Sequence, residues 1–104
     1  MYFSSIDQIA YLDRETGGHW FSPGAVRYFG TRYGSRVWGG RYFVTSEKDP
    51  AGHAWDGRRR YTVRRATYQD GRVDIDTMGE FGEHANHRHA VAVIIGLLQE
   101  EARA

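Results

Sequence analysis

Two β-type runs, about Arg59 to Thr67 and Arg72 to Met78, flank the tripeptide Gln69-Asp70-Gly71, and this constrains the chain more than any other feature. Asp-Gly between β-branched and aromatic residues marks a hairpin, because tight hairpin turns need backbone in the left-handed region. Val73 and Ile75 alternate with Asp74 and Asp76, which predicts odd positions facing inward on the second arm. Tyr61 and Val63 give the first arm the same parity. For odd to face odd, the numbers of paired residues must sum to an even value. A three-residue loop Gln69-Asp70-Gly71 with Gly71 left-handed meets this by pairing residue 68 with 72. Val63 then faces Thr77, Arg65 faces Ile75, Arg64 faces Asp76 and Arg60 faces Glu80. A two-residue Asp70-Gly71 turn would instead set Val63 on the face of Asp76.

Other elements follow from local signals. Ile6, Ile9, Ala10 and Leu12 make residues 5–13 a short helix or an irregular arm. Ser22-Pro23 opens a helix, with Ser as N-cap and Pro at the first helical position, carrying Val26, Phe29 and Tyr33 on one face and ending at Gly34. Arg41 to Ser46 is a further strand, residues 49–57 form a surface loop with Trp55 folding back as an anchor, and Ala85 to Ala102 is the last helix. The predicted class is α+β: a three-stranded antiparallel sheet flanked by an N-terminal and a C-terminal helix, order α-β-β-β-α, in a single layer covered by helices. Double-stranded-RNA-binding domains share that order, but their second helix opens on close-spaced lysines. Here it opens Glu83-His84-Ala85-Asn86-His87-Arg88-His89, so no function is carried over.

The 104 residues fit one domain, 1–104, with residues 1–16 as a candidate arm. No cysteine is present, which excludes disulfides, thiolate metal sites and cysteine nucleophiles. No apolar run approaches a membrane span, and Met1 to Ser5 lack the basic and apolar regions of a signal peptide, so neither membrane nor export is expected. Leu, Ile, Val and Phe supply only 20 residues, so the core must draw on aromatic side chains.

Charge is unevenly spread behind a net +1: residues 1–16 carry −2, 17–72 carry +7 and 73–104 carry −4. Arg58, Arg59, Arg60, Arg64 and Arg65 crowd one strand without an acid among them, the composition of a nucleic-acid-binding strand. The hairpin register opposes this by giving Arg64 and Arg60 carboxylate partners, leaving Arg58, Arg59 and Arg65 free. Trp38, Tyr42 and Trp55 are candidate anchors for a protein partner. Val93 and Leu97 extend the apolar character of the last helix beyond a single stripe, so either the N-terminal arm covers its outer side or a second copy of the chain does. His84, His87 and His89 have no recognised metal spacing, and no serine or carboxylate pair sits in a catalytic context. No metal, cofactor or catalytic residue is expected.

Arg41-Tyr42-Phe43-Val44-Thr45-Ser46-Glu47, then Arg59-Arg60-Tyr61-Thr62-Val63-Arg64-Arg65, then Met78-Gly79-Glu80-Phe81, resembles a small uncharacterised protein family of actinobacterial phages over residues 20–82. The resemblance implies a phage accessory protein in the cytoplasm of the infected host, with no assigned chemistry. Together with the absent catalytic signals, it leads to a non-enzymatic protein that binds a host or phage protein, or alternatively DNA or RNA.

Overall fold

The computed structural model describes residues 2–24 and 29–104. Helix α1 spans Ile6–Glu15, capped by Ser5, whose hydroxyl accepts the Gln8 N–H at 3.2 Å. Strands β1 (Arg32–Tyr33), β2 (Tyr42–Glu47), β3 (Arg60–Gln69) and β4 (Arg72–Met78) follow, and helix α2 spans His87–Arg103. The class is α+β as expected, with four strands rather than three, arranged as an antiparallel meander in the order β1-β2-β3-β4. The added strand takes Tyr33 out of the expected helix: it lies opposite Thr45, and Arg32 lies opposite Ser46. Pro23 and Gly24 are helical, whereas Val26 lies outside the described residues. Gly34 ends no helix; it follows β1.

The hairpin register differs from expectation. Gln69 pairs with Arg72 and Val63 with Met78, so paired numbers sum to an odd value across a two-residue turn. Asp70 and Gly71 both take positive φ, 54° and 76°, as a type I′ turn requires. Arg64 therefore faces Thr77 and Arg65 faces Asp76, in place of the predicted Arg64–Asp76 and Arg65–Ile75 pairs. The chain leaves the ladder at Gly79 and rejoins β3 where His84 pairs with Tyr61, so Arg60 does not meet Glu80 across the sheet.

The physical reason is that the sheet is buried on both faces, so neither parity is simply inside. Phe3, Ile6, Ile9, Ala10 and Phe21 pack on Phe43, Ala66 and Val73 on one face. Ala90 and Ile94 of α2 pack on Tyr42, Val44 and Val63 on the other. All six residues of β2 are buried. Two thin cores share one sheet, and each depends on a few large side chains. Phe43→Ala should cost about 3–5 kcal/mol and Ile94→Ala about 2–5 kcal/mol in urea unfolding, with tryptophan fluorescence and far-ultraviolet dichroism reporting one coincident transition. A cost below about 1 kcal/mol for either would show that its face is not packed.

Candidate functional site

The arginine strand does not form one basic surface, because alternate residues leave the sheet on opposite faces. Arg64 lies on the α1 face with 8% exposure, and its guanidinium reaches the fully buried Glu47 at 2.9 Å. Its Nε donates to Thr45 Oγ1 at 3.0 Å and its Nη1 to Thr77 Oγ1, while the Trp20 and Phe81 rings lie 5.3 and 5.5 Å from its centre. Burial pushes the Arg64 pKa down and the Glu47 carboxylate opposes that shift. Arg60 donates to the carbonyls of Gly82 and Glu83, and Arg65 pairs with Asp76 at 3.3 Å on the α2 face. Arg59 bonds the Gly30 carbonyl and the Ser46 hydroxyl, both at 3.0 Å. Arg59 and Arg65, expected free, thus have acceptors; Arg58 is exposed and has none among the described residues.

Over the Glu47–Arg64 pair lies an aromatic cover. Trp55 folds back as expected, within the short 3-10 turn Ala54–Gly57, and its ring lies 5.4 Å from Phe81 and 6.4 Å from Phe29. Trp55 and Asp56 take φ of 58° and 53°, a costly conformation for a bulky residue that holds only where the surroundings impose it. Gly82 makes room for the folded-back ring, since a Cβ there would run into Trp55. Asp49 closes the loop by accepting the Ala51 and Ala54 N–H groups, and these bonds, Ala54's first, lower its pKa. Arg64 is part of the interior on this side of the sheet. Glu47→Leu or Arg64→Leu alone should cost about 3–5 kcal/mol by stranding a buried charge. The double variant should lose less than either single one, as read by a double-mutant cycle in urea.

The expected protein-binding residues scatter. Tyr42 is only 1% exposed and its hydroxyl bonds Glu101, so it is a core residue rather than an accessible anchor. Leu97 packs half-buried on the α2-side core, and Trp38 joins the same cluster from its edge. Val93, at 37%, is open to solvent. α1 lies on the other side of the sheet and so does not cover the outer side of α2. α2 begins at His87, two residues later than expected, capped by Asn86, whose Oδ1 accepts the His89 N–H at 2.9 Å. His84 therefore precedes the helix, extended beside Tyr61. Among the described residues no three metal-ligating side chains are gathered.

A different constellation forms at the β1 edge. Residues 31–46 hold Arg32, Arg36 and Arg41 and no acid. β1 pairs with β2 at only two positions, and the chain then bulges through 34–37 before Trp38 rejoins opposite Tyr42. The bulge leaves a notch at the sheet edge, between the starts of α1 and α2, made of two cavities of about 160 and 180 Å³ that share Gly34, Val44 and His87, with Ile6 of α1 lining the second. Arg32, Ser46 and Tyr61 line one; Arg36 and Trp38 line the other. The His87 ring lies 6.2 Å from that of Trp38 and 6.1 Å from that of Tyr61, and the Arg36 guanidinium sits 4.8 Å above the Trp38 ring. Arg59 adds a third guanidinium through Ser46. Neither cavity is lined by a carboxylate, and the N-terminus of α2, opening at His87, adds a field that favours anions. Sequence reasoning does not single out Arg32, Arg36 and His87 as a binding set; the acid-free run 31–46 is the signal that could have done so. No curated protein and no solved structure matches this chain. With a family model matching residues 5–95, the chain belongs to a family of unknown function, DUF7447.

Proposed function

We propose that this protein is a non-catalytic phage accessory protein that binds a macromolecular partner, and that the partner is nucleic acid held along the β1 edge. The observation that carries this reading is the grouping of Arg32, Arg36 and Arg59 around a notch with aromatic walls and no lining acid. Cationic side chains beside stacking rings are the means by which proteins hold nucleic acid without reading a fixed sequence. The arginines in this group differ from the expected strand set: of that set only Arg59 is tied to this edge, through Ser46, while Arg60, Arg64 and Arg65 are engaged within the fold. The phage setting rests on the resemblance in Arg41 to Glu47, Arg59 to Arg65 and Met78 to Phe81, and it makes the infected cell's cytoplasm the place of action. None of the described helices is long and apolar enough to cross a membrane.

Binding of a labelled 20-nucleotide probe at low salt, followed by fluorescence polarisation, tests the reading. Affinity should fall as salt rises, and Arg32→Glu with Arg36→Glu, both exposed, should weaken it more than tenfold at low salt. Removing one arginine–phosphate interaction should flatten the logarithmic salt slope by about 0.7 for a single strand. Unchanged retention of the double variant would reject the reading.

A second reading, a host or phage protein or a second copy of this chain docked on α2, is favoured by one observation. Val93 and Ile95 are 37% and 46% exposed, on the two flanks of a helix whose outer side α1 does not reach. Light scattering should then give a dimer mass that Val93→Asp reduces to that of a monomer; a monomer mass at high protein concentration would exclude self-association.

A further inference from the structure

Resting on the nucleic-acid reading above, we propose that the notch is a pocket for one unpaired base, so that the protein selects single-stranded nucleic acid over duplex. Each cavity, about 160 or 180 Å³, is well below the roughly 300–1,000 Å³ of clefts that enclose a drug-sized ligand. A space of this size takes one planar ring. The lining suits such a ring: Val44 gives an apolar surface, Trp38, Tyr61 and His87 give three ring systems, and the exposed Ser35 gives a hydroxyl. The charges are placed to match. Arg32 and Arg36 are exposed, one lining each cavity, so a base inserted between them would leave its neighbouring phosphates near a guanidinium on either side.

Duplex cannot use this arrangement. Its bases are stacked and paired, and the notch is a recess rather than a protruding helix or ribbon that could enter a groove. A duplex would meet the arginines through its backbone alone. A single strand offers the same phosphates together with a free base, and a stacked base adds roughly 1–3 kcal/mol, equivalent to about 5- to 150-fold in affinity. Single-stranded DNA and RNA share this chemistry, and separate probes tell them apart.

Gly34 permits a test that leaves every charge in place. It lines both cavities, its φ is not in the left-handed region, and a Cβ built on it meets nothing within 4 Å. Gly34→Leu should therefore crowd the notch with an added side chain without straining the backbone or striking a neighbour. The experiment compares four labelled probes of equal length by fluorescence polarisation: oligo-dT, oligo-U, an abasic phosphodiester strand and a blunt duplex. In the wild-type protein, oligo-dT or oligo-U should bind at least fivefold more tightly than the abasic strand and the duplex. In Gly34→Leu that advantage should vanish while the weaker, salt-sensitive binding of the abasic strand persists. Equal affinity of the wild-type protein for all four probes would overturn the base pocket and leave the electrostatic reading standing. Failure of every probe to bind at low salt would remove both. The abasic comparison decides the matter in the wild-type chain even if the variant does not fold.

Discussion

Strand β2 is buried on both faces, and that single constraint organises the rest of the molecule. Tyr42 and Val44 lie under α2, Phe43 lies under α1 and Phe21, and the strand still carries Thr45, Ser46 and Glu47 into the interior. A buried carboxylate is costly unless it is paired and hydrogen-bonded. Glu47 is paired through Arg64, whose side chain runs along β3 past Thr45 and also reaches Thr77 of β4. One guanidinium therefore joins three strands. Ion pairs of this kind contribute little net stability against an apolar replacement, yet they penalise any pairing that separates the partners. A one-residue slip between β2 and β3 would move Arg64 to the face opposite Glu47, so the pair specifies register more than it adds free energy.

The same demand redistributes the positive charge. Five arginines crowded between residues 58 and 65 read as a binding surface only if their side chains point one way, and a strand forbids that. Arg64 is drawn inward by Glu47, Arg60 holds the carbonyls of the Gly79-to-Glu83 excursion, and Arg65 meets Asp76 on the far side. Of the charge left to solvent, Arg32 and Arg36 stand where the sheet is least complete, at the two-residue strand β1 and the bulge behind it. The bulge opens a notch because four residues, 34–37, lie between pairs that β2 spans with two.

Much of the fold is legible in the sequence because its signals are local. The spacing of Ile6, Ile9 and Ala10, the β-type runs and the Asp-Gly signal all act within a few residues, and a helix, strands and a hairpin are present where they point. The register escapes sequence reasoning for a reason that is not local. Alternation in Val73-Asp74-Ile75-Asp76 implies one buried face, but Val63 packs under α2 while Val73 packs under α1. The inward-pointing odd residues of the two arms belong to different cores. A strand with two buried faces hides its parity, and Tyr42 resembles an accessible anchor in the sequence for the same reason. The candidate site is barely legible, since Arg32, Arg36, Trp38, Tyr61 and His87 come from separate segments that only the short β1, its bulge and the start of α2 bring together.

Two kinds of interaction meet at that edge, and they act over different ranges. Guanidinium charge extends about one Debye length, roughly 8 Å at physiological salt, and draws in any polyanion regardless of sequence or strandedness. Ring stacking inside the notch acts only when a flat group has entered. The first can set encounter and salt dependence but cannot distinguish one nucleic acid from another, because every strand carries the same phosphate. In the proposed base pocket, discrimination would come from the second, and the recess it needs exists because β1 stops after two residues instead of running the length of β2. A longer β1 would cover the Val44 edge with backbone and leave the arginines on a closed sheet. On the proposed reading, the shortness of that strand is thus what would turn a basic edge into one able to select among polyanions.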